Sequence, residues 1–151
     1  MNKTEHTRSY TGAYASLRNG RRPFAFAELI GGIFSYNTNG RIEFFMTPLG
    51  MLVYAKFGGL PKSICREKQA VYNFCIRGEN GYCEKAGLHT KCSPCFMMPS
   101  VYEKDGYAEC GALTRRIREC DLLGKTVILY DKKGGCPCNA CESIAYGRIS
   151  F

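Results

Sequence analysis

The chain has 151 residues, with 21 Lys+Arg against 13 Asp+Glu for a net charge of +8, and an apolar content of 45%. This is the length and composition of one ordinary globular domain, able to bury about two-thirds of its unfolded surface, and it excludes wholesale disorder. No apolar run approaches the roughly 18–20 residues of a membrane helix, and the polar first 22 residues carry no secretory h-region, so a reducing, cytoplasmic setting is expected.

Residues 1–22 are polar, basic and without periodicity, and their five positive and one negative residues supply half the net charge. They read as a flexible basic arm on a domain spanning 23–151. From Phe24 the pattern turns strand-like. Phe24–Ile30 ends at Gly31-Gly32, and Ile33–Tyr36 leads into Asn37-Thr38-Asn39-Gly40, where Asn-Gly predicts a tight hairpin turn. Arg41–Met46, Met51–Phe57 and Val71–Arg77 follow as strands, divided by Thr47-Pro48-Leu49-Gly50 and by Gly58-Gly59-Leu60-Pro61. In the last of these, regular alternation sends Phe74 and Ile76 to one face and Asn73, Cys75 and Arg77 to the other. A long irregular stretch runs from Gly78 to Glu103, then Asp105–Thr114 reads as a strand. Arg115–Leu123 offers a helical turn with Arg115, Arg116 and Arg118 exposed, Thr126–Tyr130 is a buried strand, and Ser143–Ile149 is the last. Short strands with turn signals every eight to twelve residues predict an all-β antiparallel sandwich or barrel with little helix.

Ten cysteines fall at Cys65, Cys75, Cys83, Cys92, Cys95, Cys110, Cys120, Cys136, Cys138 and Cys141. In a reducing compartment such clusters hold metal or act in redox more often than they staple a fold. Two thiolates in a C-x-x-C turn converge on one ion. Cys92/Cys95 and Cys138/Cys141 therefore form a candidate tetrahedral Cys₄ site, with Pro94 and Gly134-Gly135 supplying turn chemistry. The gap between the two pairs is longer than in a zinc ribbon, and disulfides or simple packing remain alternatives.

Taken in order, several segments resemble the copper/zinc superoxide dismutase family, in a bacterial branch. Gly58-Gly-Leu-Pro61 resembles its G-L-P turn, Tyr72-Asn-Phe-Cys75-Ile-Arg77-Gly-Glu its G-F-H-x-H-E strand, and Ala86-Gly-Leu-His89 its A-G-G-H segment. Pro99 through Asp105-Gly-Tyr-Ala108 resembles P-P-L-x-x-x-D-G-Y-A, Gly124–Asp131 resembles G-R-x-V-V-I-H-D, and Ile144–Ile149 resembles I-A-C-G-V-I. The resemblance runs from about residue 24 to the end and implies an eight-stranded Greek-key β-sandwich or barrel with long loops.

The resemblance does not carry the chemistry with it. The positions of the family's copper ligands look like Cys75, Arg77, His89 and Tyr130, of which only His89 is a histidine. The stretch matching the zinc ligands offers Cys92, Cys95, Met97 and Met98. Tyr146 stands where the family has a disulfide cysteine, and Ser143 where it has a guiding arginine. Thiolates favour zinc, Cu(I) or iron–sulfur chemistry over a Cu(II)/Cu(I) cycle. The expectation is thus a dismutase-like metal-binding protein without classical dismutase activity. Zinc would be held by Cys92, Cys95, Cys138 and Cys141, with Cys75, His89 and Cys136 as alternates; copper(I) or iron–sulfur would be other occupants. Two other readings stand beside it, a working superoxide dismutase or thiol-redox enzyme and a basic zinc-knuckle nucleic-acid module. The knuckles lack interleaved Lys and Arg, so the expected partner is a metal ion, with a homodimer open and neither membrane nor nucleic acid expected.

Overall fold

The computed structural model describes residues 7–9, 22–61, 70–77, 96–98, 100–133 and 143–151. The strands are β1 (Thr7–Ser9), β2 (Ala25–Gly31), β3 (Asn39–Thr47), β4 (Gly50–Gly58), β5 (Val71–Arg77), β6 (Phe96–Met97), β7 (Val101–Tyr102), β8 (Ala108–Thr114), β9 (Thr126–Asp131) and β10 (Ala145–Ser150). Between β8 and β9 one 3₁₀ turn spans Glu119–Asp121. The sheet order is β1-β8-β4-β3-β2-β10-β9-β5-β6, every ladder is antiparallel, and β7 adds to the far part of β5. A bridge between Lys104 and Tyr107 joins β7 to the start of β8. That step brings the two ends of the sheet together, so eight strands nearly close into a barrel. Among the described residues no helix is long and apolar enough to cross a membrane.

The interior follows from side-chain alternation. Ala25, Ala27 and Leu29 of β2, Ile42 and Phe44 of β3, and Met51, Val53, Ala55 and Phe57 of β4 point inwards. They meet Tyr72, Phe74 and Ile76 of β5, Cys110 and Ala112 of β8, and Val127 and Leu129 of β9. Small residues on β2 and β8 face large ones elsewhere, and Phe57 and Phe74 meet with ring centroids 5.7 Å apart. Each such fully buried phenylalanine stabilises the barrel by roughly 1.5–3 kcal/mol.

The β2–β3 connection differs from the sequence expectation. Asn39 and Gly40 are not a hairpin turn; they pair with Ile30 and Leu29 on one side and with Gly58 and Phe57 on the other. The chain reverses earlier, over residues 32–38. There Ser35 N–H donates to Gly32 O and Thr38 N–H to Ser35 O, while the buried Thr38 hydroxyl donates to Gly59 O at 2.9 Å. Gly59 has φ +64, and a Cβ there would lie 2.0 Å from Asn37 O. Local hydroxyl–backbone bonds and a glycine-only approach thus outcompete the Asn-Gly signal.

Other boundaries moved less. The strand expected from Asp105 begins at Ala108, because Asp105 and Gly106 form a turn at φ 55 and 78, held by Gly106 N–H donating to the Glu103 carboxylate at 2.6 Å. Helix in 115–123 shrinks to the one 3₁₀ turn, capped where Arg118 N–H donates to the Asp121 carboxylate. Within residues 1–22, Thr7–Ser9 pair with Ala112–Thr114, laying a strand along the part of β8 that β7 does not reach.

Candidate functional site

β5 carries an unbroken buried run from Phe74 to Arg77, which takes in a cysteine and an arginine. Alternation sends Phe74 and Ile76 into the barrel, so Cys75 and Arg77 are buried on its outer side. Register fixes their neighbours. Asn73 pairs with Tyr130, Cys75 with Ile128, and Arg77 with Thr126 on β9. One strand further, Ile128 pairs with Tyr146 and Thr126 with Arg148 on β10. Cys75, Ile128 and Tyr130 form a buried cluster with the half-buried Tyr146 packed against it. The outer side of β5, β9 and β10 therefore brings together one thiol, two phenols and the guanidiniums of Arg77 and Arg148. At its rim, Ser100 Oγ donates to Asn73 Oδ1 at 2.8 Å.

The electrostatics of this region separate by face. On the inner side, Tyr72 donates its hydroxyl to Pro61 O, and burial pushes its pKa up to about 12, with the charges of Asp131 and Glu103 adding to the rise. Further round the barrel Cys110 is a core thiol whose pKa burial pushes up to about 12, Glu109 contributing. Neither supplies a nucleophile or base near neutral pH. On the exterior, Arg41 bonds to the carboxylates of Glu28 and Glu43 and lies 4.5 Å over the Phe26 ring. Those two carboxylates hold its pKa above the ordinary value against the opposing effect of burial. This is a solvated charge row that braces β2 and β3.

Of the residues expected to hold metal, Cys75 is placed, fully buried on β5. His89, Cys92, Cys95, Cys136, Cys138 and Cys141 lie outside the described residues. Arg77 and Tyr130, which the sequence resemblance sets with Cys75 and His89 at copper-ligand positions, lie on this outer patch, and Tyr146, at the resembled disulfide position, packs against the Cys75 cluster. Among the described residues no group of three or more His, Cys, Asp and Glu is arranged to hold an ion. Sequence reasoning missed Thr126 and Arg148, which complete the row through Arg77; only the register, invisible before the strands are paired, joins them. It also missed a cleft between the 47–50 turn and residues 115–119. No family model matches the chain, and no curated protein matches it.

Proposed function

We propose that this chain is a dismutase-like barrel in which thiolate metal binding has replaced copper–histidine chemistry. The observation that carries the reading is that Cys75 and Arg77 of β5 lie on the same outer face as Tyr130 of β9, where Cys75 and Tyr130 share one buried cluster. β5 and β9 are distant in sequence, and the resemblance assigns all three positions to copper ligands. The all-β, nearly closed antiparallel barrel is compatible with this reading.

The donor set at this patch does not fit copper. A redox-cycling copper needs imidazoles that serve both oxidation states and an open position for its substrate. Here the corresponding side chains are a thiol, a guanidinium with its fixed positive charge, and a phenol. Metal binding therefore rests on Cys92, Cys95, Cys138 and Cys141, with Cys75, His89 and Cys136 as further donors. A soft or borderline ion, zinc above all, suits such a set, and it would stabilise the fold by binding only the folded chain.

Elemental analysis of untagged protein purified under reductant tests this. The expected result is stoichiometric zinc that is lost in Cys92→Ser/Cys95→Ser, with a lowered melting temperature in a strong chelator. No zinc, copper or iron, with stability unchanged by chelator, would refute it. Superoxide consumption by copper-loaded protein above that of free copper would instead establish a working dismutase.

A further inference from the structure

The end of the barrel remote from the β2–β3 loop carries a cleft of about 320 Å³ between the β3–β4 turn and residues 115–119. This is the lower end of the ordinary range for ligand sites, about 300–1,000 Å³. Its apolar lining includes the exposed Met46 and Leu49 and the buried Ile117. Met46 and Leu49 hold their apolar side chains together at the mouth of the cavity, and the turn that presents them is fixed. Thr47 Oγ1 donates to Gly50 O at 2.8 Å and accepts from Leu49 N–H at 3.1 Å.

The rim is cationic, and its two arginines differ. Arg118 lies 3.6 Å from the Asp121 carboxylate, which offsets its charge. Arg115 donates Nε–H to Leu49 O at 3.3 Å, which folds its side chain across the turn. Among the described residues its Nη groups have no carboxylate partner, and Arg116 beside it is exposed. Glu119 is the one acidic lining residue. An oriented guanidinium over an apolar floor is complementary to a molecule with an anionic head and an apolar body, because the charge pair strengthens where water is displaced. A simple inorganic anion would leave the floor unused, and a neutral hydrocarbon the arginine.

We propose that this cleft binds a soluble amphipathic monoanion, its apolar body on Met46, Leu49 and Ile117 and its carboxylate or sulfonate on the Nη groups of Arg115. The reading is independent of metal binding, since the cleft shares no residue with the outer patch of β5.

The test uses the full chain with 8-anilinonaphthalene-1-sulfonate as a fluorescent probe and decanoate or decanol as competitor. Decanoate is expected to displace the probe at least tenfold more effectively than decanol. Arg115→Gln should weaken probe and decanoate by about tenfold, the usual scale of one charge-assisted hydrogen bond. It should leave decanol unchanged, whereas Leu49→Asp should weaken all three. Both positions are on the surface, so circular dichroism should show an unaltered fold. Equal competition by decanol, or probe binding unaffected by Arg115→Gln, would overturn the proposal. So would association confined to anionic vesicles or to a short single-stranded DNA, with no displacement by decanoate.

Discussion

Raising the pH should unfasten the barrel through one thiol. Cys110 sits on β8 with its side chain in the core, opposite Ala55 of β4. Burial, and secondly the charge on Glu109, moves its pKa from 9.0 to about 12. The native state therefore holds this proton longer than the unfolded chain does. Its contribution is fully present below pH 9 and is lost as the pH climbs towards 12, because the unfolded thiol ionises first. At 1.36 kcal/mol per pH unit the loss is about 1.4 kcal/mol at pH 10 and about 2.7 kcal/mol at pH 11. Urea unfolding under reductant at pH 8, 9, 10 and 11, on the native chain and on Cys110→Ala, isolates the effect. The alanine variant loses a pH-independent cavity cost of order 1 kcal/mol but has no thiol at this position to ionise. The raised pKa of Tyr72 acts alike in both proteins and cancels. The gap between the two proteins should narrow and then invert as the pH rises. Parallel profiles from pH 8 to 11 would refute the argument and mean that the thiol ionises no later in the barrel than in the unfolded chain.

The same burial differences predict thiol accessibility. Iodoacetamide at pH 8 followed by peptide mapping should modify Cys120 in the native protein and leave Cys75 and Cys110 unmodified until urea is added. Gly59→Ala should destabilise more than Gly124→Ala in thermal melts. Both glycines have positive φ, worth about 1–2 kcal/mol with alanine, yet only the Gly59 Cβ meets backbone, at 2.0 Å from Asn37 O. Equal losses would mean that the 32–38 loop yields freely. Thr38→Val, nearly isosteric and buried, should cost roughly 1 kcal/mol by leaving the Gly59 carbonyl without its donor, as read from urea midpoints.

The parts legible from sequence are those in which one residue's environment repeats along the strand. Met51–Phe57, Val71–Arg77 and Thr126–Tyr130 lie where the apolar pattern sets them, since apolar runs and β-branched residues act locally. The Asn39-Gly40 hairpin failed because turn choice was decided across space, by Thr38 reaching Gly59 and by the bare Cα of Gly59. β1 was unreadable for a similar reason. Thr7-Arg8-Ser9 has no strand pattern of its own and gains its place only from the unpaired edge of β8 at Ala112–Thr114. For the candidate site, alternation already put Cys75 and Arg77 on one face. That the face is buried depends on tertiary packing, for which a polar Asn73-x-Cys75-x-Arg77 stripe is if anything a misleading signal.

The two faces of β5 carry side chains of different character and different neighbours. Tyr72, Phe74 and Ile76 build the barrel with Val127 and Leu129, while Asn73, Cys75 and Arg77 meet Tyr130, Ile128 and Thr126 on the opposite side. Exchanging a side chain on the outer set leaves the barrel interior in place and disturbs only the separate buried cluster of Cys75, Ile128 and Tyr130. Arg77 marks the limit of that freedom. Burying a guanidinium costs several kcal/mol unless hydrogen bonds and counter-charge compensate it, and such compensation is directional. Once such a charge is lodged at the row through Thr126 and Arg148, a cation placed beside it is repelled.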